Sequence, residues 1–358
     1  MGDAFAELRG VRNSAGIATD HLCQAPFAQL HFDPDGSVTV CSKNPHAVGK
    51  VGNDRILDIW RGPQLAAMRD TLANWRFPAS CASCAGHLER ENVATHPSRD
   101  FESLVGARDP DWPERLEFAF SDLCNLACIH CSPRLSSVLR ARAGLPKLPR
   151  VYDDAFFAEL EPILPHLRSV SFLGGEPLLQ KEVHRVCDRL IALGLKPGVF
   201  VTTNGTVFDA RIERLLSQLP VNLAVSLDAA SARTFERVRE GARWDVVRRN
   251  LDRFVERMAP ARGTVRLNFC VMRATWMELP GFLSLAAALP AQVWVTVVTH
   301  PTSQSLLSLP PAALRVVHDR LVAAVDPNWP QKSRQIYASV LRTLATTAAH
   351  ASAAPKGR

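Results

Sequence analysis

From residue 115 onward the chain alternates short apolar runs with longer segments of helical period. Apolar runs near 116–121, 169–173, 198–203, 221–227, 264–271 and 292–298 predict strands, and segments near 154–167, 180–194, 208–218, 231–257 and 276–288 predict helices. Six strand–helix repeats imply a parallel sheet with right-handed crossovers. Six units fall short of the eight that close a barrel. The pattern therefore predicts an α/β fold built as a curved, open partial (β/α)6 barrel over 115–300 or as a doubly wound sheet.

Residues 21–97 have a different texture. Ala28 to Phe32 and Ser37 to Cys41 flank Asp33-Pro34-Asp35-Gly36, a turn in which Pro presets one dihedral and Gly supplies φ > 0. The pattern predicts a hairpin there, a short helix from Arg55 to Leu72, and a loop from Phe77 to Cys84. Residues 1–20 read as a flexible tail, and 98–114 as a linker around Pro97, Pro110 and Pro113. The reading continues with 301–345 as a helical extension and Ala-rich 346–358 as a disordered tail.

Composition narrows the class without naming a partner. The 358 residues are 47% hydrophobic, which excludes global disorder. No secretory signal and no apolar stretch of about 18–20 residues is present, so a cytoplasmic protein without a membrane anchor is expected. The net charge of +7 comes from 35 Arg and 7 Lys that are dispersed along the chain. With no basic run and only two Tyr, nucleic acid is not the expected partner.

The nine cysteines change the picture more. An odd number in a chain without a secretory signal points to metal or redox chemistry rather than a disulfide framework. Three of them, Cys124, Cys128 and Cys131, fall in CNLACIHC just after the first predicted strand of the barrel. A structural zinc site takes four closed ligands and a four-iron cluster also takes four, so three local thiolates leave one position open for a substrate or cofactor. Gly174-Gly175-Glu176-Pro177 follows the second strand, Asn204-Gly205 the third, and Ser226 and Asp228 stand at the fourth. In folds of this kind the chemistry sits at the carboxyl ends of the strands, so all four signals share one rim.

CxxxCxxC after a first strand with GGEP after the second resembles the radical S-adenosylmethionine (SAM) superfamily. Thr203-Asn204-Gly205, Ser226-Leu227-Asp228, Phe235 to Gly241 and Leu267 to Arg273 extend the resemblance through roughly 115–300. It implies a [4Fe–4S] cluster on Cys124, Cys128 and Cys131 whose open iron chelates SAM. One-electron cleavage would then yield a 5′-deoxyadenosyl radical that abstracts hydrogen from substrate. It further implies that Gly174, Gly175 and Glu176 meet the SAM amino group, and that Asn204, Ser226, Asp228 and Asn268 line the cofactor site. Arg239 would pair with the SAM carboxylate. An external donor such as flavodoxin or ferredoxin would supply the electron. His130 stands where the family usually has an aromatic residue.

Cys23, Cys41, Cys81 and Cys84, spaced C-x17-C-x39-C-x2-C, could hold zinc or an iron–sulfur cluster on spacing alone. The surrounding residues resemble SPASM/twitch auxiliary-cluster domains, which implies an auxiliary [4Fe–4S] cluster suited to electron transfer. In the family this domain usually follows the barrel, whereas here it precedes it. Cys187 shares a helix face with Val183, Val186, Leu190 and Ile191 and reads as core. Cys270 alternates in phase with Asn268 on the fifth strand of the barrel and reads either as barrel filling or as a lumen thiol able to donate hydrogen. His300, after the last strand, reads as a rim residue or a base. The expected function is oxidation or epimerisation of a small molecule of the sugar or aminocyclitol kind. Modification of a ribosomal peptide or protein side chain is the alternative.

Overall fold

The computed structural model describes residues 2–14, 16–17, 21–89, 96–104, 111–258 and 263–353. The fold is α/β, with a parallel-stranded partial barrel preceded by a cysteine-rich domain. The chain divides into two compact units, one comprising 1–121, 148–174 and 188–199, the other 122–147, 175–187 and 200–358.

The first unit is built on β1 (Gln29–Phe32), β2 (Ser37–Thr39), β3 (Gly49–Lys50), β4 (Arg115–Phe118) and β5 (Ser169–Phe172), in the order β3-β2-β1-β4-β5. The expected hairpin forms, with His31 opposite Thr39 and Phe32 opposite Val38. Gly36 takes φ +86°, the left-handed conformation its turn requires. β1 then pairs in parallel with β4, Phe32 beside Phe118, and β4 with β5, Phe118 beside Phe172. All three rings are buried, with Phe32 and Phe118 centroids 5.1 Å apart and Phe118 and Phe172 5.9 Å apart. Each such ring contributes about 1.5–3 kcal/mol through burial.

The compact units do not follow the boundaries expected from sequence, because this parallel pairing and its aromatic core join the cysteine-rich segment to the first two barrel strands. Residues 1–20 are not simply a tail. Gly2–Ser14 is helical, and buried Arg12 reaches Glu102 at 2.9 Å, Ser98 at 2.8 Å and the Leu22 carbonyl at 3.1 Å. The expected linker contains a 3-10 helix, Pro97–Leu104, and residues 105–110 lie outside the described residues. Cys81 ends the 3-10 turn Ala79–Cys81, and Cys84 lies on the helix Ala82–Glu89, where a loop was expected. The helix expected from Arg55 to Leu72 breaks at Gly62, where a Cβ would sit 2.8 Å from the Asp58 carbonyl and where Pro63 starts a new helix.

β6 (Gly198–Thr203) begins in the first unit and continues in the second, followed by β7 (Val221–Ser226), β8 (Thr264–Val271) and β9 (Ala291–Val297). The order in the second unit is β6-β7-β8-β9, with β8 parallel to both neighbours. Burial alternates along β8. Val265, Leu267, Phe269 and Val271 are buried, and Phe269 packs on Phe282 of the helix Leu279–Ala287 at 4.7 Å. Arg266, Asn268 and Cys270 share the opposite face. The long helix expected over 231–257 is two helices, Ala232–Val238 and Trp244–Met258, separated at Gly241 with φ +98°. Helices Pro311–Ala323 and Gln331–Ala353 follow, so helix continues into the tail expected to be disordered. Residues 354–358 lie outside the described residues. No described helix is long and apolar enough to cross a membrane.

Candidate metal and cofactor site

All three cysteines of CNLACIHC lie in the second unit on a loop clamped from two sides. Leu126 and Ala127 are buried anchors. The Ala127 amide donates to the Glu240 carbonyl at 2.9 Å and the Ile129 amide to the Val238 carbonyl at 3.0 Å. Ser136 caps the helix Ser137–Arg142 and donates to the Leu126 carbonyl at 2.7 Å. Ser137 Oγ accepts from the Cys124 amide at 3.2 Å and donates to its carbonyl at 3.1 Å. A Cβ on Gly241 would stand 3.2 Å from the Asn125 carbonyl, so the close approach of the 238–241 segment depends on glycine.

The three thiols face an open cavity of about 550 Å³. Gly175, Thr202, Asn204, Ser226, Arg239 and His300 form much of the remaining wall, together with His130. Of the residues expected at the cluster and cofactor, the cavity thus gathers Cys124, Cys128, Cys131, Gly175, Asn204, Ser226 and Arg239, and beside them His300, expected as a rim residue or a base. Gly174, Glu176, Asp228, Asn268 and Cys270 are not on its wall.

Each of these absences has a reason. Gly174 and Gly175 take φ +75° and +58° and turn the chain sharply, which brings only the second glycine to the cavity. Glu176 is buried with both oxygens engaged. Oε1 accepts from Thr203 Oγ1 at 2.7 Å and the Leu178 amide at 3.1 Å, and Oε2 accepts from the Asn204 amide at 2.7 Å. Burial pushes its carboxyl above the usual range against these three bonds. Asp228 is fully buried at φ +55°. Its Oδ2 lies 2.6 Å from Arg239 Nη2 and its Oδ1 accepts from the Cys270 amide at 2.7 Å. Asn268 Oδ1 accepts from Arg266 Nε at 3.1 Å. Cys270 packs against Val238, Met272 and Val298, and burial first, then the Asp228 charge, push its thiol up.

The donor set fits an anionic sulfur-ligated cluster. N–H groups are aimed at the sulfurs. Cys124 Sγ receives the Leu126 amide at 3.5 Å and Asn204 Nδ2 at 3.9 Å, and Cys128 Sγ receives Arg239 Nη1 at 3.9 Å. Burial raises all three thiols, Cys128 to about 11 against the opposing pull of Arg239. In the first unit, Cys23 and Cys41 pack against Ala25, Ala28, Phe101 and Leu104, and Cys81 Sγ receives Asn44 Nδ2 at 3.4 Å. Burial is the main influence on all four of these thiols and pushes each of them up. Among the described residues no three cysteine sulfurs lie within 4.8 Å of one another.

Supporting residues without a motif of their own escaped the sequence reading. Asn125 accepts from Asn204 Nδ2 at 2.9 Å and donates to Thr206 Oγ1 at 2.9 Å, which ties the cysteine loop to the end of β6. His96 holds the Cys84 carbonyl at 3.0 Å and Ser98 Oγ at 2.8 Å, and burial lowers it to about 4. Only Asn44, three residues after Cys41, carried a positional hint.

Comparison with known proteins agrees with the cysteine pattern. Residues 118–281 match the family model of the Radical SAM superfamily, and residues 23–85 match that of SPASM, an iron–sulfur cluster-binding domain. The chain is 31% identical over 160 residues to a GTP 3′,8-cyclase of Synechocystis sp., covering 44% of this chain and 46% of that protein. It is 22% identical over 180 residues to a GTP 3′,8-cyclase of Clostridium botulinum, covering 50% and 54%. The chain spans about half the length of the curated relatives it matches. Streptococcus suis SuiB bound to SAM is similar with a TM-score of 0.43 and 16% identity, over 72% of this chain and 56% of that one.

Proposed function

From a chain that carries a radical SAM domain at 118–281 and an iron–sulfur SPASM domain at 23–85, with [4Fe–4S] clusters and SAM as cofactors, we propose an enzyme that oxidises its substrate. The carrying observation is that three thiols, two of them receiving N–H groups, share one cavity with Gly175, Asn204, Ser226 and Arg239. A four-iron cluster and SAM held at these thiols would supply one-electron chemistry able to remove a hydrogen atom from substrate. Cys124, Cys128 and Cys131 hold the cluster, and Gly175 brings bare backbone to the cofactor. Glu176 fixes that turn against Asn204. Cys23, Cys41, Cys81 and Cys84 would hold an auxiliary cluster that could supply one-electron oxidising chemistry, and His300 on the cavity wall would take the proton the substrate gives up. An external reductant provides the electron that starts the cycle.

Oxidation is favoured over epimerisation because Cys270, the thiol an epimerase would use, packs against Val238, Met272 and Val298 and is not on the cavity wall. A small molecule of the sugar or aminocyclitol kind is the substrate class proposed. A second reading, modification of a peptide or protein side chain, draws on the same sheet. Trp294 and Phe200 are 51% and 44% exposed, and Ser226 stands in register with Asn268 and then Trp294 across β7, β8 and β9. That row offers an extended platform beside the cavity. The experiment is to reduce the reconstituted protein with SAM and deuterated candidates of both classes. Deuterium in 5′-deoxyadenosine identifies the substrate, and a product two mass units lighter than substrate in the matching unlabelled reaction establishes oxidation. A product of unchanged redox state overturns it.

A further inference from the structure

We propose that Arg239, held in place by Asp228, is a positioning residue that raises the reduction potential of the cluster on Cys124, Cys128 and Cys131. The inference rests on that cluster and not on the reaction it serves. Arg239 follows the helix Ala232–Val238, is 6% exposed, and lines the cysteine cavity. Its Nη2 binds Asp228 Oδ2 at 2.6 Å, its Nη1 reaches Cys128 Sγ at 3.9 Å, and its buried Nε has no hydrogen-bond partner among the described residues.

A buried guanidinium is costly without a counter-ion. Asp228 supplies one, with its Oδ2 2.6 Å from Nη2. Asp228 is itself fixed by the Cys270 amide at 2.7 Å, with His130 Nε2 at 3.5 Å from Oδ2. The pair is therefore a rigid dipole: the cation at the ligand sulfur, the anion behind it against β8. Nη2 thus holds Asp228 while Nη1 faces the sulfur. The Nε and the second N–H of each terminal nitrogen remain for a ligand.

A thiolate-bound cluster gains negative charge on reduction. A cation at a ligand sulfur, in a site shielded from water, stabilises the reduced form more than the oxidised one. Hydrogen bonds to ligand sulfurs act in the same direction. Removing only Asp228 strips the opposing end of the dipole. Removing both charges strips the cation and the N–H donor it aims at Cys128, without leaving a lone buried charge.

The test is a redox titration of the reconstituted two-cluster protein in the absence of SAM, followed by electron paramagnetic resonance, with iron counted in each sample. The N-terminal cluster serves as internal reference. Asp228→Asn, which is isosteric and keeps an acceptor for the Cys270 amide, is expected to shift the midpoint of the Cys124/Cys128/Cys131 cluster to more positive potential. The Asp228→Asn/Arg239→Gln double variant is expected to shift it to more negative potential than the unaltered protein. A purely structural role would not give opposite signs. An unchanged midpoint, or shifts of the same sign, overturns the proposal. If the double variant fails to load its cluster, the sign of the Asp228→Asn shift alone decides.

Discussion

Glu176 and Asn204 are joined by a 2.7 Å hydrogen bond from the Asn204 amide to Oε2, made inside the protein at the end of β6. The acidic residue of GGEP thus acts as a staple between two loops of the rim. Glu176→Gln sets an amide N–H₂ against donors and is expected to destabilise the protein by about 1–3 kcal/mol. Because the staple orients Gly175, SAM affinity should fall while iron content stays unchanged. Thermal denaturation and calorimetric SAM binding check both.

Gly241→Ala combines a side chain at φ +98° with a Cβ contact of 3.2 Å to the Asn125 carbonyl. A loss of about 1–3 kcal/mol is expected from the conformation alone. Displacement of the cysteine loop should lower iron from about eight to about four atoms per chain, the content of the remaining cluster. Full iron loading in this variant would contradict the clamp described for residues 238–241.

The strands were readable because each is a short apolar run between polar turns, and all six barrel strands lie within three residues of the apolar runs. The cysteine triad and glycine pair were readable because their chemistry is local in sequence. Asp228 and Arg239 were each visible, but not their ion pair. Their side chains meet only because Ala232–Val238 returns the chain towards the cysteine loop, and no periodicity records that. Phe77 to Cys84 read as a loop because Pro78 and Ser80 break any apolar period, although Ala79–Cys81 and Ala82–Glu89 are helical. The parallel pairing of β1 with β4 joins residues more than eighty positions apart, beyond any local signal.

The buried His31 stands between Asp33 Oδ1 at 3.2 Å and Glu117 Oε1 at 3.0 Å. Burial lowers its pKa, but the two carboxylates overcome this and raise it from 6.5 to about 9. The folded value exceeds the unfolded one, so the stabilisation is complete below about pH 6.5 and disappears as pH rises through about 9. The shift corresponds to about 3 kcal/mol. Glu117 moves the other way: burial raises it, His31 and Arg115 lower it further, and its contribution fades as pH falls below the carboxylate range. Urea denaturation should therefore show a loss on the alkaline side that is flattened in His31→Gln.

Cys270→Ala removes a partly buried sulfur from contact with Val238, Met272 and Val298. A loss of about 1 kcal/mol is expected. Oxidation without a thiol donor predicts substrate turnover within about twofold of the unaltered enzyme, a change worth under about 0.5 kcal/mol. Abolished turnover with intact 5′-deoxyadenosine formation would instead establish Cys270 as a hydrogen donor and favour epimerisation.

The most direct measurement is anaerobic reconstitution followed by incubation of the reduced protein with SAM, alongside the Cys124→Ala/Cys128→Ala/Cys131→Ala variant. Two clusters predict about eight irons per chain and 5′-deoxyadenosine formation that vanishes in the triple variant, which keeps about four irons. Absence of SAM cleavage with any low-potential reductant, despite full iron loading, would contradict the assignment of the cysteine cavity.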